Sequence, residues 1–204
     1  MMARITPERR DDILEAALRL LRERGVAGVT TTALAREARC SKETLYLLFE
    51  NRDAILAALI DRQATALNAA LQQNDPSQPA MEALALVGAQ LLRLLTSEGS
   101  LAINRAALSD PTGRLSHILI KRGKERLAPK IISLIERLHH EGTISVADMS
   151  DAYRTVYGLL IADRQIMALH GMPEGKGGAE APARIAQRAV ERFVHLYRPR
   201  PAPP

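Results

Sequence analysis

Aromatic residues are scarce in this chain. They make up 3% of its 204 residues, with no tryptophan, two phenylalanines and four tyrosines. Its core must therefore be built from Leu, Ile, Val, Ala and Met, a composition that favours helices over sheets. The one cysteine, Cys40, excludes an internal disulfide framework and a Cys-rich zinc site, and it suits a reducing compartment. Long apolar runs are also missing. Ala54–Ile60 spans seven residues, far short of the ~18 that suggest a membrane span. The first ten residues, MMARITPERR, hold charges with no apolar segment behind them, so no secretory signal is expected. No strand pattern with hairpin turns and no internal repeat is visible. A cytoplasmic protein with no membrane partner is the expectation.

What remains is ordinary for a folded chain: 47% hydrophobic and 25% charged residues. The formal net charge of +5 permits nucleic-acid binding without requiring it. The excess is spread out. Residues 1–52 carry ten basic and eight acidic side chains, and residues 53–204 carry eighteen and fifteen. Any DNA binding must come from placed residues rather than from bulk charge.

Periodicity predicts helices almost throughout. Thr6-Pro7 is a start signal, since proline at the first helical position loses no needed N–H. Ile13/Leu14, Ala17/Leu18 and Leu20/Leu21 share a face, and Gly25 stands where a helix should end. Short helices are expected at 31–38 and 42–49, and a long one at 52–73, broken by Asp75-Pro76. A helix at 79–96 has few polar positions, among them Glu82, Gln90 and Arg93 on one narrow stripe, so it should be buried on most sides. Another is expected at 100–108. From Asp110-Pro111 a helical stretch runs to Gly142, with Gly123 and Pro129 expected to divide or kink it. Helices at 148–170 and 182–197 follow, separated by a loop rich in glycine. The Pro-rich residues 199–204 should be disordered.

The stretch TTTALAREARCSKETLYLLF, Thr30 to Phe49, carries the functional signal. Leu34, Ala38, Cys40, Leu45 and Leu48 are apolar at steps that suit neither a single helix nor a strand. They suit two short helices crossing at a tight turn with Cys40 beneath it. Thr30 can cap the first helix and Ser41 the second. This is the layout of a helix-turn-helix, whose second helix enters the major groove. Packing alone could use the same hairpin. The polar residues Ser41, Lys42 and Thr44 at the start of the second helix favour DNA, as do the Tyr46 hydroxyl and the Arg52 charge.

From about Arg10 through Leu56 the chain resembles the TetR family of bacterial transcriptional regulators. The segments ILEAALRLLRERG, VTTTALAREA, CSKETLYLLF and ENRDAIL carry the likeness. Past residue 80 the helix spacing resembles the AefR-like C-terminal type. The resemblance implies an all-α fold: a three-helix N-terminal helix-turn-helix domain plus a larger helical ligand-binding and dimerisation domain. The boundaries would be 1–52, 53–198 and the tail 199–204. It implies DNA contacts from Thr30, Thr31, Thr32, Ser41, Lys42, Glu43, Thr44, Tyr46 and Leu47, and a phosphate contact from Arg52. Three positions depart from the family. Arg39 replaces a usual turn glycine, Glu43 a small residue, and Leu48 a frequent histidine.

The second domain is less legible. Any pocket would be lined by aliphatic side chains and suit a small apolar or amphipathic effector. Asn104 and Arg105 on one helix could orient it, as could Tyr153, Tyr157 and Arg164, which fall on one face if they share a helix. Ile185, Ala189, Phe193 and Leu196 form an apolar stripe able to pack against a second copy in a four-helix bundle. Cys40 reads as core. His139 and His140 diverge by about 100° on a helix and make poor metal co-ligands. The Lys121, Arg122, Lys124, Arg126 and Lys130 cluster reads as a solvated face.

The expected function is a dimeric repressor on a palindromic double-stranded operator, released by a small-molecule effector. No cofactor and no metal are expected. A helical module acting through protein partners, or a small-molecule-binding enzyme, are the alternatives. Against the enzyme stand the missing nucleophile–base pair, phosphate loop and metal spacing.

Overall fold

The computed structural model of the chain describes residues 7–72, 77–172 and 180–199; side chains 64, 66–72, 124, 126 and 127 fall outside the description. The expectations for Thr6, the Asp75-Pro76 break, Gly175, Gly177 and Gly178, and residues 200–204 lie outside the described residues, as do the Lys124 and Arg126 side chains.

The described residues are helical with no strand. The helices are α1 (Pro7–Gly28), α2 (Thr31–Glu37), α3 (Lys42–Leu48), α4 (Arg52–Gln72), α5 (Ala80–Leu95), α6 (Glu98–Leu108), α7 (Arg114–His140), α8 (Met149–Ile161), α9 (Arg164–Leu169) and α10 (Pro182–Leu196). The all-α expectation holds. None of these helices is by itself long and apolar enough to cross a membrane.

Packing groups the described residues into two compact units. One lies within Met1–Ala64 and Ser97–Arg122, the other within Thr65–Thr96 and Gly123–Pro204. This division follows packing, not the functional boundary expected at residue 52. The core of the first unit joins Ile13, Leu14, Ala17, Leu20 and Leu21 of α1 to Leu34, Leu45, Ile55, Leu59 and the apolar face of α6. In the second unit α5 packs on α10 and α8, with Leu84, Leu91, Val156, Leu160 and Phe193 at the centre. The burial expected of α5 is found: nine of its residues are buried. Gly88 makes the close approach possible, because a Cβ there would stand 2.6 Å from Leu160.

The capping chemistry explains most helix ends. Pro7 opens α1, and Gly25 at φ 64° takes the chain out of helical geometry near its end. Ser97 caps α6, its Oγ accepting from the Ser100 N–H at 3.2 Å, so that helix starts earlier than expected. Gly142 at φ 71° terminates α7. Beyond it, Nδ1 of His139 accepts from the Val146 N–H at 3.3 Å, which gives that histidine a structural task.

Two helix expectations need correction. Of the two alternatives expected at Gly123 and Pro129, a division is not found: α7 runs as one 27-residue helix with Pro129 inside it. Pro129 is exposed, so the carbonyls on its face lie within reach of water. The helix expected at 148–170 is broken in two. Ala162 adopts φ 45°, ψ −127°, and α9 begins two residues later. Alanine in the left-handed half of backbone space carries no sequence signal, since any residue but glycine is strained there.

The dimer stripe needs correction as well. Ile185, Ala189 and Phe193 are buried inside the protomer's own second unit, against α5 and α8. They offer no surface to a second copy. Of the four stripe residues only Leu196, 62% exposed, remains available. α10 has one apolar face, and its own core uses it.

Candidate nucleic-acid interface

The first unit presents α3 rather than burying it. Of its seven residues only Leu45 is buried. Lys42, Glu43, Tyr46 and Leu47 are exposed, the last two at 57% and 68%. A tyrosine and a leucine left so open on a short polar helix serve no packing purpose. Their exposure leaves the outer face of α3 uncovered within the described residues. Leu47 offers an apolar group for a thymine methyl, and Lys42 a donor for a guanine edge.

Local chemistry fixes both short helices. Thr30 Oγ1 accepts from the Ala33 N–H at 3.1 Å, and Ser41 Oγ accepts from the Thr44 N–H at 3.1 Å. Each such cap is worth about 1 kcal/mol. The caps use oxygen lone pairs, so the Thr30 hydroxyl proton remains available to a phosphate. Ser41 and Thr44 share a hydroxyl–hydroxyl hydrogen bond at 3.1 Å, so one of their two protons is already committed. Thr31 and Thr44 are half-buried, and Thr32 is exposed.

The Glu43 carboxyl is held below its ordinary value, first by its own backbone N–H and then by the Ser41 hydroxyl. It therefore stays ionised across the neutral range. Because the folded pKa is the lower one, its stabilisation is present above the unfolded pKa and is lost as pH falls through the folded pKa. A fixed negative charge at the start of α3 repels phosphates and can accept from a cytosine amine.

The turn between α2 and α3 shows what the sequence could not. Arg39 sits at φ 49°, so the residue that replaces glycine does occupy left-handed space. Arg9, thirty residues away, secures the turn: its Nη2 donates to the Arg39 carbonyl at 2.9 Å and its Nη1 to the Ala38 carbonyl at 3.4 Å. Nothing in the spacing of the sequence announces that pair. Arg10 stacks over the Phe49 ring at 5.1 Å, a second anchor with no sequence signal. Asn51 could have been found, since it precedes an apolar helical run. Its Oδ1 accepts from the Ala54 N–H at 2.9 Å and caps α4, where Arg52 is the first residue. Arg52 is exposed and lies 3.9 Å from Asp53, which offsets part of its charge. Cys40 is half-buried against the core, and burial raises its thiol pKa, which favours the protonated thiol.

The strain at Arg39 gives a direct expectation. Arg39→Gly should raise unfolding stability by about 0.5–1 kcal/mol, because glycine removes a left-handed penalty at some entropic cost. The Arg9 clamp survives, since it grips backbone carbonyls. Urea denaturation of the two proteins checks this, and a less stable glycine variant would show that the turn is not strained.

The five residues expected to orient an effector are divided between the two units. Asn104 is turned to its own helix, its Nδ2 donating to the Ser100 carbonyl at 2.9 Å. Arg105 faces a groove on the first unit. Tyr153 and Tyr157 belong to the second unit, with ring centroids 6.0 Å apart, and burial raises both phenol pKa values. Arg164 lies on α9, past the break at Ala162, and so does not continue the tyrosine face.

Residues 13–59 match the family described as bacterial regulatory proteins, tetR family, and residues 82–199 match the AefR-like transcriptional repressor C-terminal domain. The fold is similar to that of a TetR transcriptional regulator from Agrobacterium tumefaciens, 33% identical over 95% of each chain, with a TM-score of 0.77. It is also similar to FadR from Bacillus subtilis in complex with stearoyl-CoA, 17% identical over 90% of this chain and 97% of that one, TM-score 0.73. An uncharacterized HTH-type transcriptional regulator of Mycobacterium tuberculosis is 37% identical over 67 residues, a third of this chain and a third of that protein's length.

Proposed function

The chain belongs to the TetR family of bacterial regulatory proteins and is a DNA-binding transcriptional regulator, and on that premise we propose that it is a homodimeric repressor held on a palindromic operator until a small apolar or amphipathic effector releases it. The observation that carries the reading is the uncovered outer face of α3, with Lys42, Glu43, Tyr46 and Leu47 exposed. Thr30, Thr32, Ser41 and Arg52 are exposed beside it in sequence and take the phosphates. Half-buried Thr31 and Thr44 stand at the helix starts, where the Thr44 hydroxyl shares a hydrogen bond with Ser41. Such a protein works in the cytoplasm, where its DNA is.

A single seven-residue helix reads only a few base pairs, and a two-fold dimer doubles the readout. With Ile185, Ala189 and Phe193 committed to the core, the outer faces of α8 and α10 take the dimer contact. Leu159, Glu191, Arg192, His195 and Leu196 line a shallow recess there. Leu196→Asp should leave the protomer folded and raise the dimer dissociation constant at least ten-fold. Sedimentation equilibrium checks this. An unchanged constant would move the interface elsewhere.

For the effector, the solved relative that holds stearoyl-CoA supports a ligand with a long apolar part. The aliphatic composition of the second unit points the same way. Tyr153 and Tyr157 are the side chains of that unit best suited to orient it. By linkage, an effector that weakens operator binding must itself bind more weakly, by the same factor, when operator is present.

Footprinting on the DNA upstream of the chain's own gene tests the proposal. It predicts two protected half-sites about one helical turn apart, ~34–36 Å. A single protected half-site, or protection without symmetry, would contradict the dimeric reading.

A further inference from the structure

Arg39 stands in the turn between α2 and α3 at φ 49°, in the left-handed region where any residue but glycine is strained. The surrounding structure holds it there. Its N–H donates to the Arg36 carbonyl at 3.2 Å, and the Cys40 N–H donates to the Ala35 carbonyl at 2.9 Å. Its own carbonyl accepts from Arg9, as does that of Ala38. Every one of these bonds uses backbone atoms of the turn, so glycine would make them all at less strain. The Arg39 side chain takes part in none of them. A strained residue that its neighbours hold so firmly, and whose side chain the turn does not need, marks a place where the side chain serves binding.

That side chain is exposed, and its guanidinium makes no ion pair and no hydrogen bond among the described residues. The acidic residues nearest to it in sequence are engaged elsewhere. Glu37 is paired with Arg19 at 3.0 Å. The Glu43 carboxylate is held by its own backbone N–H and by the Ser41 hydroxyl. Arg9, which brings a guanidinium to the same turn, has Asp12 at 3.6 Å to offset it. Arg39 has no such counter-charge. It lies three residues before Lys42, the first residue of α3. At up to ~3.6 Å per residue, the chain between them spans no more than about 11 Å. A long, flexible cation at that distance stands beside the groove that α3 enters, where phosphates line the edge.

We propose that Arg39 is a further DNA-backbone contact, its guanidinium pairing with a phosphate that flanks the bases read by α3. The inference rests on the reading of α3 as the recognition helix. The charge-assisted pair is of the kind that arginine makes with two parallel N–H donors. It fixes register on the duplex and carries no sequence information. The Arg9 clamp on the Ala38 and Arg39 carbonyls sets the point from which the side chain reaches out.

Two substitutions test it. Arg39→Asn removes the charge and puts in a residue that tolerates left-handed space. Arg39→Lys keeps the charge. Each full-length variant is titrated against a duplex from upstream of its own gene and a scrambled duplex of equal composition, by fluorescence anisotropy at several salt concentrations. Arg39→Asn should lower affinity for both duplexes at least ten-fold at about 0.1 M salt, and reduce the salt slope by about 0.9 per bound protomer. Arg39→Lys should keep the native slope. The urea midpoint of Arg39→Asn should equal or exceed that of the native protein. An unchanged slope in Arg39→Asn, with both duplexes still bound, overturns the contact. A loss confined to the upstream duplex also overturns it, since a phosphate contact is blind to sequence. A lower urea midpoint overturns it too, by making the side chain a structural part of the turn. A native protein that binds neither duplex contradicts the reading of α3 itself and takes the contact with it.

Discussion

Phe193→Ala is expected to destabilise the protein by about 3–5 kcal/mol, the range for truncating a fully buried aromatic side chain. Phe193 has no exposed surface, and its ring lies 4.9 Å from that of Tyr197. It stands where α10 packs on α5 and α8, in the core of the second unit. Removing the ring leaves a cavity that the surrounding core can fill only in part. Urea denaturation measures the loss. It should not depend on protein concentration, as it would if Phe193 served a dimer contact. A loss under about 1 kcal/mol would mean that the ring is not a core element.

The second large effect is on DNA. Lys42→Ala should cost about 1–3 kcal/mol on the operator and much less on random DNA, because a lysine at the start of α3 reads a base edge. Arg52→Ala should weaken both DNAs alike and reduce the salt slope by about one, the value of a single phosphate neutralised. Both side chains are exposed, so neither change disturbs the fold. Binding isotherms on the two DNAs at several salt concentrations separate the cases. Equal losses for Lys42→Ala on both DNAs would reduce Lys42 to a backbone-binding role.

Local rules make the N-terminal region readable. Thr30 and Ser41 announce helix starts through bonds made within three residues, Pro7 through its fixed φ and missing N–H, and Gly142 announces an end through its free φ. The spacing of Leu34, Ala38, Cys40, Leu45 and Leu48 suggests a crossing hairpin, because on one continuous helix Cys40 would stand far from the face shared by Leu34, Ala38 and Leu45. The interactions that the sequence hides are long-range. Arg9 reaches the turn at Arg39, and Arg10 reaches Phe49, across distances in the chain that no periodicity marks. The stripe on α10 is visible, but its destination is not. An apolar face looks the same in sequence whether it meets its own core or a second copy. Ala162 is invisible for a different reason: alanine is a strong helix former, and nothing in its type marks a positive φ.

The most direct measurement is the affinity of the full chain for DNA from upstream of its own gene and for a scrambled duplex of equal length and composition. Fluorescence anisotropy at several salt concentrations supplies it. A sequence-specific dimer that reads base edges through α3 predicts a ratio of about 10³ or more in favour of the upstream DNA, with two protomers per duplex. Equal affinity for both duplexes at every salt concentration would contradict it.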